Sequence, residues 1–204
     1  MIPVKPQPPP PIAVQVQTDG LAWLKANGID PTKPKPKGVE LEPLWRECLR
    51  ELHKRYGGVC AYLCVYFEDE FGATTADHFV AQKHHAGGAY TWSNYRLACR
   101  GMNTNKSVHR VLDPFLLAPD TFRMRFLNGQ IYPNPRLAPA VQQAATDTLK
   151  ELGLDEGNVR AMRLRHYEEY LELRGEGARR PNVEDFLRKK SPFVWTEAKR
   201  QGLL

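Results

Sequence analysis

The sequence predicts an α+β fold, and three observations predict it. Apolar residues recur at three- and four-residue spacing over 42–55, 138–152 and 157–173, as in helices that bury one face. Residues 73–110 read as two short strands followed by a helix. Farther on, Asn128-Gly129 stands between two short apolar and aromatic runs, a strong short-range signal for a hairpin.

With 204 residues the chain can bury one good core and a small appendage. Lysine and arginine number 29 against 23 acidic residues, a net charge of +6, and the pI is near 9.2. The excess is unevenly placed. From Phe71 to Arg110 stand Lys83, Arg96, Arg100, Lys106 and Arg110, with Asp77 as the only anion. Such a stretch suits a polyanionic partner held through its phosphates. No run of eighteen apolar residues is present, so no membrane span is expected. The opening Met-Ile-Pro-Val-Lys-Pro-Gln has no apolar signal core, so the cytoplasm is the expected compartment. Cys48, Cys60, Cys64 and Cys99 then read as thiols or vestigial metal ligands, not as a disulfide framework.

In chain order, residues 1–40 form a Pro-rich extended arm. Prolines at 6 and 8–11 and a Lys-Pro-Lys-Pro-Lys run at 33–37 favour polyproline structure. One helical turn is expected at Gly20–Asn27, with Leu21, Trp23 and Leu24 as its apolar face. Residues 41–135 make the central body. Its first helix, over 42–55, presents Leu44, Trp45, Cys48, Leu49 and Leu52 on one side and ends at Gly57-Gly58. Val59–Phe67 reads as a strand or a buried knuckle, and Glu68-Asp69-Glu70 as a solvated acidic turn. A strand over Ala73–Ala81 carries Asp77-His78 near its end. A loop with His84, His85, Gly87 and Gly88 leads into a segment at Tyr90–Ala98. A helix starts near Asn103 and runs through Lys106, Val108 and Arg110. Leu112-Asp113-Pro114-Phe115 closes this part, and the hairpin strands are Thr121–Leu127 and Gln130–Tyr132. Residues 136–204 form a helical region: Ala138–Leu152, then Gly157–Leu173 with Arg160, Arg163 and Arg165 outward. A loop at Gly175–Pro181 precedes a helix at Val183–Lys190 and an aromatic tail, Phe193-Val194-Trp195. Arm and tail read as docking surfaces, because their aromatics are costly to leave in water.

Asp77-His78, Asn94 and Asn103 carry the chemistry. Fifteen residues separate His78 from Asn94, and eight separate Asn94 from Asn103. Phosphodiester hydrolysis needs an activated water, neutralised charge at phosphorus and help for the leaving 3′ oxygen. Asp77 offers a carboxylate and Asn103 a side-chain carbonyl, donors of the kind a hard ion such as Mg²⁺ takes while keeping several waters. His78 faces the other way along the strand, and an imidazole titrating near ~6.5 can accept the proton of the water. Lys83 and Lys106, then Arg96 and Arg100, are the candidate phosphate contacts. Taken singly, each residue has a plainer role. An Asp-His pair arises by chance, Asn94 suits a turn, and Asn103 suits a helix N-cap. His84-His85 suits a surface loop, and His53 and His109 the periphery. Only the joint pattern favours hydrolysis.

That pattern resembles the HNH endonucleases, in the branch whose third position is Asn. Relatives are written C-x-x-C, D-H-F-x-P-K, Y-x-W-x-N and L-x-C-x-x-C-N-x-x-K. Matching them here are Asp77-His78-Phe79, Tyr90-Thr91-Trp92-Ser93-Asn94 and Leu97-Ala98-Cys99 with Asn103 and Lys106. The likeness continues into Leu112-Asp113-Pro114-Phe115 and Gly129-Gln130-Ile131-Tyr132-Pro133. It implies a ββα-metal (HNH, or His-Me finger) core with an added hairpin and mostly helical extensions. It further implies His78 as general base, Asp77 and Asn103 as ligands of one divalent ion (Mg²⁺ or Mn²⁺), and Asn94 as the residue bridging the two halves of the finger. Cleavage of DNA follows, leaving 5′-phosphate and 3′-hydroxyl ends. Bacterial relatives of the Septu and retron-associated type act in anti-phage defence beside an ATPase, which is the implied partner. Two departures stand out. Many relatives hold a structural zinc on two C-x-x-C pairs, whereas this chain has Cys60-x-x-x-Cys64 and Cys99-x-x-Met102. Methionine is a poor zinc ligand, so a zinc-free finger packed by these side chains is expected. Gln82-Lys83 replaces Pro-Lys, which keeps the cation. Two alternatives stay open: an RNA (tRNA) endonuclease with the same site, and a nucleic-acid- or ATPase-binding module with little catalysis.

Overall fold

The structure, a computed structural model, describes residues 1–69, 72–175 and 182–204. Glu70 of the expected acidic turn, Phe71, and residues 176–181 of the expected loop lie outside the described residues. Among the described residues the fold is α+β, with helices and two separate two-stranded antiparallel sheets. Among the described residues no helix is long and apolar enough to cross a membrane. The chain divides into two compact units. One comprises Lys5–Gly58 and Phe67–Asn103, the other Met1–Val4, Val59–Tyr66 and Thr104–Leu204.

The first unit opens with a correction to the extended arm: Pro11–Ala26 is an α-helix, α1. Proline is well placed in a first helical turn, where its fixed φ suits the helix and its missing N–H has no partner to lose. The proline cluster therefore starts a helix. Ala13, Val16, Gly20 and Leu24 recur at three and four and are buried, whereas Leu21, expected on the apolar face, is 39% exposed. At Gly20 the helix backbone lies against the Tyr90 ring, so closely that a Cβ would sit 2.1 Å from its Cγ. The expected helix over 42–55 comes in two parts, a 3₁₀ turn at Leu44–Cys48 and then α2 at Leu49–Arg55. Gly57 and Gly58, with φ of 60° and 66°, end it.

Strand β1 (Thr74–His78) pairs antiparallel with β2 (Tyr95–Cys99), from Thr74↔Cys99 to His78↔Tyr95. Helix α3 (Arg100–Lys106) follows β2 directly. It begins three residues before the expected start and ends at Lys106, where Ser107 takes a φ of 43°. Asn103 is thus inside the helix and is not its N-cap; Val108 and Arg110 lie beyond it. The core of this unit gathers Leu24, Leu52, Ala76, Tyr90, Tyr95 and Leu97.

In the second unit, Val59 and Tyr66 bridge across a knuckle in which the Cys64 N–H donates to the Cys60 carbonyl at 2.8 Å. Strands β3 (Phe122–Arg125) and β4 (Gln130–Pro133) form the expected hairpin, with Arg125 opposite Gln130. Its turn has four residues, not the expected two. A two-residue type I′ turn needs positive φ at both positions, and only Gly129 has it, at 68°. Gly129 instead lies on the backbone of Arg160, where a Cβ would meet the carbonyl oxygen at 2.4 Å. Helices α4 (Pro139–Leu152), α5 (Gly157–Gly175), α6 (Val183–Lys190) and α7 (Pro192–Arg200) complete the unit. Two expectations fail here. Arg163, expected outward, is buried, and its guanidinium donates to the carbonyls of Leu154 (2.6 Å) and Gly129 (3.3 Å); burial lowers its pKa to about 10. The aromatic tail is the start of α7, with Phe193 and Val194 buried.

Two outcomes follow. Gly20→Ala must push aside the Tyr90 ring and should lower stability by about 1–3 kcal/mol. Gly101→Ala, where a Cβ meets nothing within 4 Å, should be neutral or slightly stabilising. Equal urea midpoints for both variants would show that the close approach is not a constraint. His166 on α5 is 7% exposed, and burial first, then Lys190, lowers its pKa to about 4. Its unfolded imidazole protonates near ~6.5, so between that pH and about 4 the unfolded chain binds more protons and stability falls with falling pH. The loss should reach roughly 1–3 kcal/mol near the bottom of that window, and His166→Gln should flatten this limb of the urea-midpoint profile.

Candidate active site

The β1–β2 ladder sets the directions of the motif side chains. Adjacent strand residues point to opposite faces, and residues directly opposite share one. Asp77 therefore shares a face with Arg96, its cross-strand partner, and is 2% exposed. His78 shares the other face with Tyr95 and, along the strand, with Ala76 and its partner Leu97 of the core.

Packing and hydrogen bonding fix the His78 ring. Trp45 meets it edge-on at 5.0 Å between centroids and Tyr95 at 5.4 Å. Its Nε2 lies 3.0 Å from the carbonyl oxygen of Ala89. A carbonyl only accepts, so Nε2 carries the hydrogen and, in the neutral ring, Nδ1 holds the lone pair. The Tyr95 hydroxyl donates to the same oxygen at 2.7 Å. Burial first, then Cys48 and Tyr90, push that hydroxyl far above the usual phenol range, so it stays a donor.

Asn94 closes the loop between the strands. Its Oδ1 accepts the Val80 N–H at 2.8 Å, and its Nδ2 donates to the carbonyls of Val80 (3.0 Å) and Gly88 (2.9 Å). Its main-chain carbonyl accepts the Phe79 N–H at 2.9 Å. The connection from His78 to Tyr95 runs through two 3₁₀ turns, Ala86–Tyr90 and Trp92–Asn94. Beside it a cavity of about 260 Å³ is lined by Val80, His85, Gly88, Thr91 and Asn94.

The structure thus gathers Asp77, His78 and Asn94 at one end of the ladder. Asn103 is half-buried on α3, which leaves the ladder at the other end, where Cys99 faces Thr74. Among the described residues no three His, Cys, Asp or Glu side chains converge as a metal site. The donors of interest are the buried Asp77 carboxylate and the Asn103 amide carbonyl, hard oxygens of the kind a magnesium-like ion takes while keeping most of its waters. Cys60 and Cys64 belong to one unit, Cys99 and Met102 to the other, and the four cysteines form no disulfide with one another.

The candidate phosphate contacts separate by exposure. Lys83 and Arg100 are exposed, and Arg100 donates to the Gly72 carbonyl at 2.9 Å. Arg96 and Lys106, also named as candidate phosphate contacts, are buried, at 4% and 1% exposure. Arg96 donates to the carbonyls of Ser93 (2.8 Å) and Tyr95 (3.2 Å) and lies over the Phe79 ring. Sequence reasoning missed Trp45, Tyr95 and the Ala89 carbonyl as the supports of His78. The strand alternation that places Tyr95 opposite His78 could have flagged one of them. Searched against protein-family models and curated proteins, the chain matches none.

Asn94→Ala removes three side-chain hydrogen bonds and leaves loop carbonyls without donors, so it should cost roughly 2–4 kcal/mol. The Val80 amide should then exchange with deuterium far faster than in the wild type. Unchanged protection at Val80 would mean that other contacts close the loop.

Proposed function

We propose that the chain is a metal-dependent endonuclease of the HNH type, hydrolysing phosphodiester bonds in DNA. The observation that carries this reading is the hydrogen bond between His78 Nε2 and the Ala89 carbonyl, which leaves the lone pair of the neutral ring on Nδ1. A base held in one tautomer by a main-chain acceptor is what proton abstraction from water requires. Further support comes from the succession β1, β2, α3 and from Asn94, whose bonds to Val80 and Gly88 hold the loop that supplies that acceptor.

In this reading Nδ1 of His78 takes a proton from water as its oxygen attacks phosphorus, and the bond to the 3′ oxygen breaks. The products are a 5′-phosphate and a 3′-hydroxyl, the latter protonated from solvent. Asp77 and Asn103 would hold one Mg²⁺ or Mn²⁺, which when bound supplies charge neutralisation at phosphorus and at the leaving oxygen. Lys83 and Arg100, being exposed, are the phosphate contacts retained from the sequence. A role in cytoplasmic anti-phage defence with an ATPase partner rests on the family likeness and belongs to the same proposal.

The test compares wild type with His78→Ala on supercoiled plasmid, with Mg²⁺ or Mn²⁺ and with EDTA, beside a tRNA lane. Nicking should need the metal and fall by about 10²–10⁴-fold in the variant. Equal nicking by both proteins would sink the assignment of His78. Cleavage of tRNA alone would keep the chemistry and change the substrate.

A further inference from the structure

The Lys-Pro-Lys-Pro-Lys run at 33–37 lies along the loop between β1 and β2. The Gly87 N–H donates to the Pro31 carbonyl (2.9 Å), the Ala86 N–H to that of Lys33 (2.9 Å), and the Lys35 N–H to that of Gln82 (3.2 Å). Glycine is required at the tightest point, since a Cβ on Gly87 would sit 2.9 Å from the Pro31 oxygen. A turn pins each end of the run. Before it, Asp30 Oδ1 accepts the Thr32 N–H (2.9 Å) and hydroxyl (2.7 Å), and the Lys33 N–H donates to the Asp30 carbonyl. After it, the Val39 N–H donates to the Pro36 carbonyl at 3.3 Å, with Gly38 at a φ of 80° and Lys37 at the tip.

The side chains divide accordingly. Lys35 is half-buried, its ammonium donating to the Val39 carbonyl. Lys33 and Lys37 are exposed, as is Lys83, which follows Gln82 on the adjoining loop. Asp30 stands 3.4 Å from the Lys33 ammonium at a solvent-exposed site, where such a pair is weak. Prolines between the lysines stiffen the backbone, so little chain freedom is lost when the cations engage a partner. The loop that the run grips continues into Gly88 and Ala89, whose carbonyls bind Asn94 and His78.

We infer that Lys33, Lys37 and Lys83 form a cationic track that holds the phosphate backbone of a DNA duplex against the loop carrying the His78 acceptor. The inference rests on the nuclease reading above and names two contacts, Lys33 and Lys37, outside the motif.

The full chain is titrated in EDTA against a fluorescent duplex of about 20 base pairs, followed by anisotropy from about 50 to about 200 mM KCl. Wild type is compared with the double variant K33Q/K37Q and with His78→Ala, circular dichroism confirming the fold of each. Each lost phosphate contact removes about 0.9 from the slope of log Kd against log salt, so the double variant should lose about 2. Its Kd at the lowest salt should rise roughly fivefold or more. Unchanged slope and Kd in K33Q/K37Q, with plasmid cleavage still dependent on His78, overturn the track and leave the nuclease reading standing. A lost slope in a chain that never cleaves supports the track and removes the nuclease. Failure of the wild type to bind the duplex, or a lost slope on a single-stranded RNA alone, overturns the assignment to DNA.

Discussion

The carbonyl oxygen of Ala89 is the point on which the candidate site depends. It accepts from His78 Nε2 and from the Tyr95 hydroxyl together, so one main-chain group sets both the tautomer of the histidine and its distance from the loop. Its own position is set by the next residue. Tyr90 is fully buried, its ring against Gly20 of α1 and its hydroxyl donating to the Glu42 carbonyl at 3.0 Å. The N-terminal helix therefore buttresses His78 by way of the Tyr90 ring. A side chain at position 20 would displace the ring, the ring would carry Ala89, and the imidazole would lose its reference.

Asn94 performs a second kind of work in the same loop. The ladder ends at His78↔Tyr95, yet the main chain continues the pairing by one bond, from the Phe79 N–H to the Asn94 carbonyl. The Asn94 side chain then takes both polar groups of Val80. A carboxamide is a peptide group without a chain attached, with donor and acceptor at the spacing that a strand neighbour would present. An aspartate has no donor to give the two carbonyls. Asparagine thus extends the sheet by one residue and lets the chain turn away at the same point, which a further pair of strand residues could not do.

Much of this was legible in the sequence where periodicity or local turn chemistry decides the outcome. Helices α4 to α6 repeat apolar residues at three and four, and their bounds fall within two residues of those expected. The strand with Asp77-His78 and the order strand, strand, helix were expected from the motif and its spacing. What was not legible is tertiary. The buried stripe of α1 contains an alanine and a glycine, which carry little apolar signal, and the reason for the glycine is a ring seventy residues away. Arg163 looked solvated because arginine usually is; the carbonyls of Leu154 and Gly129 that it satisfies come from two other segments. The two units also interleave along the chain, so no division into consecutive stretches could describe them. At the site, residue identity and order were readable, whereas the supports of His78 were not.

Charge shows the same difference between a window of sequence and a surface. The five cations of residues 71–110 suggest a basic motif region, but Arg96 and Lys106 are buried, and Arg96 serves main-chain carbonyls. A cation used in that way adds little to the field that a polyanion meets in solvent. Exposed charges act jointly only within about a Debye length, ~8–10 Å at moderate salt. Lys33 and Lys37 lie roughly fifty residues from Lys83 in sequence, too far for any window to combine them. The three hydrogen bonds between 31–35 and 82–87 bring their backbones side by side. On that side the loop gains the exposed positive charge of Lys33 and Lys37, whereas Arg96 and Lys106 are buried.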